Sequence, residues 1–272
     1  DLSWGPNNTF QFPKTGGTGA IWDNVANLVG RENISLRKTV VGIDPTAKKV
    51  VFQDGETVEY DTLISTLPVD ILVDIAGFNS LKEPVSKLKF SSSNIIGIGL
   101  SGKPPKDLSK KCWMYFPEDN CPFYRVTVFS NYSPQNVPDI NTQWSLMAEV
   151  SESPKKLVDS ENMIQSVIDG CYATKLIDSS HDILSTWSYR AYYGYPTPAL
   201  GRDAALNAVQ PELEKMGIYS RGRFGGWKYE VSNQDHSLMQ GVELVDQLVL
   251  GTPEVTYWFP GTANNMGYAK SR

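Results

Sequence analysis

Histidine is close to absent from this chain. Its 272 residues hold two, His181 and His236, which leaves metal catalysis and histidine-based triads poorly supplied; His181 reads as a surface residue. Cysteine is nearly as scarce. Cys112, Cys121 and Cys171 are odd in number and unrelated in spacing, so neither a disulfide framework nor a zinc site is suggested, and reduced thiols in the cytoplasm are the default. There is no signal-peptide pattern and no long apolar run, so no membrane partner is expected. Matches to the glycosylation acceptor pattern at Asn7-Asn8-Thr9, Asn33-Ile34-Ser35 and Asn131-Tyr132-Ser133 are accordingly read as coincidence. Positive charge is also short: 25 basic against 30 acidic residues give a net charge of −5, no broad field for a nucleic-acid backbone or an anionic bilayer. An anionic ligand would have to be met by local arginines. An initiator Met is missing too, and the first residues read like mid-domain sequence, so a truncated or processed product is expected.

What the chain does have is 40% hydrophobic content, enough for a full core as one large domain or two modest ones. Phe10-Gln11-Phe12-Pro13 leads into Gly16-Gly17-Thr18-Gly19, after which Ile21, Trp22, Val25, Leu28 and Val29 follow a helical period until Gly30 stops it. Those glycines either make a tight turn that needs positive φ or let backbone approach a ligand closely. β-rich runs at 39–43 and 50–52, with a turn at Asp54-Gly55 toward Val58 and Tyr60, predict a small meander. Leu63-Ile64-Ser65-Thr66-Leu67-Pro68 reads as a strand of a buried parallel sheet. Four antiparallel strands are predicted at 95–100, 112–116, 124–130 and 144–150. Gly97-Ile98-Gly99-Leu100-Ser101-Gly102 matches a dinucleotide fingerprint in its letters, but Lys103-Pro104-Pro105 stands where a phosphate-binding helix should begin, and the match is rejected. Helices at 160–177 and 202–216 flank a strand at 183–189 and a rigid aromatic turn at 192–198.

The densest chemistry lies between Arg221 and Gly241, where two arginines, Gly225-Gly226, Trp227, Tyr229 and Asn233-Gln234-Asp235-His236-Ser237 precede a helix. Leu238, Val242, Val245 and Val249, widened by Leu244 and Leu248, predict that this helix is buried on one face. Its start offers unpaired N–H groups and partial positive charge to an anionic or electron-rich ligand; ordinary capping by Asn, Asp and Ser accounts for the same residues. Arg125 follows a turn, and a hairpin would bring it beside Tyr115. An arginine among tyrosines suits a diphosphate, because the guanidinium fork gives two parallel charge-assisted bonds and phenols add donors without charge. An ion pair with Glu118 or Asp119 is the plainer reading. Tyr195 and Tyr229 offer further hydroxyls, and no nucleophile–base pair is present.

Taken together, these segments resemble the UDP-galactopyranose mutase family of the eukaryotic type. The resemblance is carried by Trp113-Met114-Tyr115-Phe116-Pro117-Glu118-Asp119-Asn120-Cys121-Pro122-Phe123-Tyr124-Arg125, Phe129-Ser130-Asn131-Tyr132-Ser133-Pro134, Gly194-Tyr195-Pro196-Thr197-Pro198, Gly222-Arg223-Phe224-Gly225 and Asn233-Gln234-Asp235-His236-Ser237. The Phe12-Pro13/Gly16-Gly17 segment and Tyr60–Pro68 resemble the wider flavin-dependent amine oxidoreductase superfamily. The likeness covers nearly all of this chain but only the C-terminal part of a family member, without the N-terminal FAD-binding unit.

That resemblance implies an α+β fold: a mostly antiparallel substrate-domain sheet with flanking helices, plus the C-terminal pieces of an FAD/NAD(P)-binding α/β domain. The roles divide as 1–68 flavin-domain segment, 69–220 substrate domain and 221–272 return to the flavin domain. It implies isomerisation of UDP-galactopyranose to UDP-galactofuranose on reduced FAD acting as nucleophile, a UDP-sugar substrate, NAD(P)H as an admissible electron donor and a homo-oligomer as an admissible assembly. By the same resemblance Arg125, Tyr195, Tyr229 and Tyr115 would serve the diphosphate, while Arg223, Asn233, Gln234, Ser237, Gly16 and Gly17 would flank the flavin. This chain alone would bind FAD weakly or not at all. Two positions depart from the family: Ser232 stands where a Gly is usual, and Lys14-Thr15 where an Arg is expected beside the glycine pair. The alternatives are another FAD-dependent oxidoreductase, of the amine oxidase or protoporphyrinogen oxidase type, or a non-catalytic fragment.

Overall fold

The computed structural model of the protein describes residues 11–265; Phe10 and the Asn7-Asn8-Thr9 pattern lie outside them. The chain runs through α1 (Gly19–Val29), β1 (Val40–Asp44), β2 (Lys49–Phe52), β3 (Thr57–Glu59), β4 (Leu63–Ser65), α2 (Val69–Ile75) and α3 (Lys82–Ser86). Next come β5 (Lys89–Ser101), β6 (Trp113–Tyr115), β7 (Arg125–Val128), β8 (Gln143–Glu152), α4 (Met163–Ala173) and β9 (Ile183–Thr197). It closes with α5 (Arg202–Lys215), β10 (Ile218–Ser220), α6 (Gln234–Leu250) and α7 (Pro260–Asn265). Contacts divide it into two compact units. One holds the described residues up to Ser35 with Ser92–Tyr192; the other holds Leu36–Ser91 and the described residues from Tyr193 onward.

In the first unit a five-stranded sheet has the order β6-β7-β8-β5-β9, with β6/β7, β7/β8 and β8/β5 antiparallel. Strand residues alternate between faces, so Ile96, Ile98 and Leu100, Val126 and Val128, and Trp144, Leu146 and Ala148 fall together on one side. There they are buried with Val167 and Cys171 of α4 and with Phe123. Truncating one of these, such as Leu146, costs about 2–5 kcal/mol. Tyr115, Arg125, Glu149 and Ile95 stand opposite one another in a single cross-strand row on the other face. The Gly16-Gly17 segment is tied to the same unit, with the Ser133 hydroxyl donating to the Lys14 carbonyl and Phe12 set edge-on to Tyr132.

In the second unit β1-β2-β3 form the antiparallel meander, and β4 pairs in parallel with β10. Val69, Leu72 and Val73 of α2, Leu206, Val209 and Leu213 of α5, Ile218 and Trp227 make its core. Spacings of three and four put those side chains on one face of each helix.

Several expectations need correction. Tyr192–Thr197 is not a turn but the continuation of β9, an edge strand whose alternating tyrosines favour extended backbone and where Pro196 is tolerated. The helix expected from 160 begins at Met163, because the Asp159 carboxylate accepts the N–H groups of Glu161 and Asn162 in a turn, and it ends at Ala173 ahead of Lys175 at φ 58°. Helices α2 and α3 and strand β10 are additional; each is too short for a clear period. The α6 stripe is present, but only Gln240 and Leu244 are buried, while Leu238, Val242, Val245 and Val249 stay exposed. In α1 no residue is buried. The His181 side chain is not on the surface but 8% exposed, packed edge-on against Trp144. Asn131 is engaged as well, donating to the Leu108 and Lys111 carbonyls. No helix among the described residues is long and apolar enough to cross a membrane.

Candidate functional site

On the sheet of the first unit, β6 and β7 pair so that Tyr115 lies opposite Arg125. The structure therefore brings these two expected residues together. The carboxylate that takes the guanidinium is neither Glu118 nor Asp119. It is Glu149, directly across the ladder on β8, which accepts from Arg125 Nε at 2.7 Å and from Nη2 at 2.8 Å. The Tyr124 hydroxyl donates to the same carboxylate at 2.7 Å. Sequence reasoning missed Glu149 and Tyr124. The signal was an acidic residue inside the apolar run Leu146-Met147-Ala148-Glu149-Val150, where a charge is retained only if partnered. Around the arginine, Trp113 stands edge-on to Tyr132, whose phenol is raised well above its ordinary pKa by burial and so stays a neutral donor. Gly16 and Gly17 both take positive φ, 77° and 61°, in the turn that opens α1, a backbone suited to glycine.

The second unit assembles its own group of expected residues. Tyr195, near the end of β9, lies under the Arg223 guanidinium at 4.3 Å, and its ring is 6.1 Å from that of Tyr229. Arg223 is fixed in that stack by two backbone acceptors, donating from Nε to the Gly194 carbonyl and from Nη1 to the Ser232 carbonyl. Tyr229 is half exposed on a 3₁₀ turn, Tyr229–Val231, which the pair of Glu230 with Arg202 anchors through bonds of 2.7 and 2.8 Å. Ser232, the departure from the family pattern, has φ −114°, so no strain arises there, and its hydroxyl donates to the Tyr229 carbonyl.

Asn233 is the N-cap of α6 in extended conformation, and its side chain makes no capping bond. Ordinary capping by Asn233 is therefore not what the helix start uses. Asn233 and Gln234 are exposed and Ser237 half-buried, with Ser237 on the wall of a cavity of about 450 Å³ that Gly222, Arg223, Thr66 and Pro68 also border. The loop along that wall is held from behind. Gln240 accepts from the Gly222 N–H at 2.7 Å and donates to the Val231 carbonyl at 2.9 Å. Arg221, 2% exposed, pairs with Glu254 at 2.6 Å through two bonds and with Glu214 at 2.7 Å. A Cβ added at Gly225 would lie 2.2 Å from the Arg221 carbonyl oxygen, so only glycine lets the loop fold back so closely. Gln240 and Glu254 also escaped sequence reasoning, since each sits in an unremarkable helical or loop context and its partner is remote in the chain.

Comparison with known proteins places these groups in context. The family described as flavin containing amine oxidoreductase matches residues 3–226. A crystal structure of a reduced UDP-galactopyranose mutase superposes with a TM-score of 0.93 at 48% identity, covering 97% of this chain and 57% of that one. This chain thus spans little more than half the length of that relative. A provisionally assigned protoporphyrinogen oxidase from an Exiguobacterium species shares the fold, with a TM-score of 0.59 at 16% identity over 75% of this chain and 45% of that one.

Proposed function

Because the chain belongs to the flavin-containing amine oxidoreductase family, we propose that it works as part of a flavin-dependent isomerase interconverting UDP-galactopyranose and UDP-galactofuranose. The observation that carries this reading is the likeness to the reduced mutase along 97% of the chain at 48% identity. The oxidase alternative has only a shared fold at 16% identity behind it.

FAD is the cofactor the family implies, and the second unit suits it. A cavity bordered by backbone at Gly222, a cation at Arg223 and the start of a 17-residue helix offers donors to an electron-rich ring. Arg223, Asn233, Gln234 and Ser237 are the residues proposed to hold it, and Gly16 and Gly17 to flank it. When bound and reduced, the flavin would supply the nucleophile for the sugar's anomeric carbon, with no net redox change. The chain's own residues then have three tasks. Arg125 and Tyr115 of the first unit are proposed to take charge on the departing diphosphate, since preorganised donors stabilise developing charge without reorganisation. Tyr195 and Tyr229 are proposed as hydroxyl donors in diphosphate binding. Arg223, stacked on Tyr195, couples the flavin side to that donor.

In this proposal residues 1–68 and 221–272 have flavin-side roles and 69–220 substrate-side roles, with NAD(P)H an admissible electron donor. The cytoplasm is the proposed compartment, in keeping with three cysteines that are all unpaired. The test is calorimetric titration of UDP into the flavin-loaded protein that carries this chain, alongside a peroxide assay with amines. Saturable UDP binding without peroxide release is expected; peroxide release with no UDP binding would favour an oxidase.

A further inference from the structure

We infer that Glu149 is a positioning residue for Arg125, its carboxylate holding the guanidinium by one edge and so fixing the direction in which the arginine addresses a diphosphate. This rests on the clamp role proposed above for Arg125. The geometry is closed on every side of the carboxylate. Glu149 is 5% exposed, its Oε1 accepts from Arg125 Nε at 2.7 Å, and its Oε2 accepts from Arg125 Nη2 at 2.8 Å and from the Tyr124 hydroxyl at 2.7 Å. Its carbonyl accepts the Tyr124 N–H at 3.0 Å, and ladder pairing fixes its Cα opposite that of Arg125. Neither carboxylate oxygen can turn away without breaking a bond.

Cohesion alone does not call for this pair. Desolvating two charges is expensive, and an apolar pair of similar volume serves as well or better. The adjacent cross-strand pair, Val126 with Ala148, is apolar and fully buried. What a carboxylate adds is orientation. A guanidinium has five N–H donors in a rigid plane, and the pair uses Nε–H and one Nη2–H, so the plane is set while other donors are directed elsewhere. Charge works in the opposite sense, because a carboxylate beside the arginine weakens the field felt by an anion. The two effects predict opposite signs, which makes the inference testable.

The experiment compares Glu149→Gln, Arg125→Lys and the double variant in the flavin-loaded protein, with UDP-galactose turnover and UDP titration as readouts. Glu149→Gln keeps the volume but gives up the paired acceptor geometry. It is expected to lower kcat/KM about tenfold, in the range that misplacement of a binding group causes. In the Arg125→Lys background, where no fork remains to be aimed, the same change is expected to add nothing. Tyr124→Phe removes one bond to the carboxylate without touching its charge and is expected to give a two- to threefold loss, also absent in the Arg125→Lys background. It keeps the inference testable if Glu149→Gln fails to fold. Tighter UDP binding with undiminished kcat in Glu149→Gln, or effects that multiply in the double variant, would overturn the positioning role. Unchanged turnover and UDP affinity in Arg125→Lys would remove the clamp itself, and the positioning role with it.

Discussion

Replacing Glu254 by Gln should unlock the loop of the second unit that borders the cavity proposed for the cofactor. Glu254 is fully buried and meets Arg221 through two bonds of 2.6 Å, while Arg221 lies 4.6 Å from the Tyr257 ring centroid and 5.7 Å from that of Trp258. A second cation shares that ring: Lys228 Nζ stands 4.4 Å from the Tyr257 centroid and donates to the Tyr257 carbonyl, its pKa lowered by burial. Neutralising Glu254 therefore leaves buried positive charge opposed by Glu214 alone among the carboxylates bonded to Arg221. Removing one partner of a buried pair costs about 3–5 kcal/mol. At roughly 2–4 °C per kcal/mol for a domain of this size, the melting temperature should fall by roughly 6–20 °C, the lower end applying if Glu214 compensates. Thermal unfolding followed by circular dichroism at neutral pH measures the loss. Flavin retention should fall with it, because Arg221 precedes Gly222 and Arg223 on the cavity wall. A drop below about 2 °C would refute this reasoning, since it would place the pair among exposed ion pairs worth under about 1 kcal/mol.

Other predictions are as direct. Burial is the largest single influence on the Glu230 carboxyl and would raise it, but hydrogen bonds from Arg202 and from its own backbone N–H, with the charges of Arg202 and Lys228, together outweigh burial and hold the group below its ordinary value. The stability it contributes is present above the unfolded carboxyl pKa of about 4.5 and is lost as pH falls through the depressed folded value. Glu230→Gln should flatten that acid limb of a melting-temperature profile; parallel profiles for the two proteins would contradict it. Burial pushes the Cys171 thiol up to about 12 and raises Cys112 and Cys121 as well. Alkylation at neutral pH should therefore be slow, confined in the folded protein to Cys112 and Cys121, and should reach Cys171 only in denaturant. Native labelling of Cys171, read by peptide mass spectrometry, would count against its buried position.

Much of the fold was legible because burial writes itself into a period. The runs 95–100 and 144–150 between turn-rich segments announced antiparallel strands, and Asp54-Gly55 announced the meander. Tyr115 beside Arg125 was also legible, because a hairpin register follows from the turn that closes it. The partners that hold the site were not. Glu149, Gln240 and Glu254 serve residues 24, 18 and 33 positions away, and no local pattern encodes a pairing of that reach. The α1 and α6 stripes were read correctly as apolar, but period alone does not state what covers a stripe, and Leu28 and Val249 are exposed. His181 misled for the converse reason: a polar type in a loop was assigned to solvent, whereas Trp144 packs against it.

The central claim is that this chain serves a reduced flavin acting on a UDP-sugar. Its most direct test is chromatography of UDP-galactose incubated with the flavin-loaded protein that carries this chain, once after dithionite reduction and once oxidised. Interconversion with UDP-galactofuranose in the reduced sample only is the predicted result. Equal conversion in both samples, or none in either while flavin stays bound, would contradict the account.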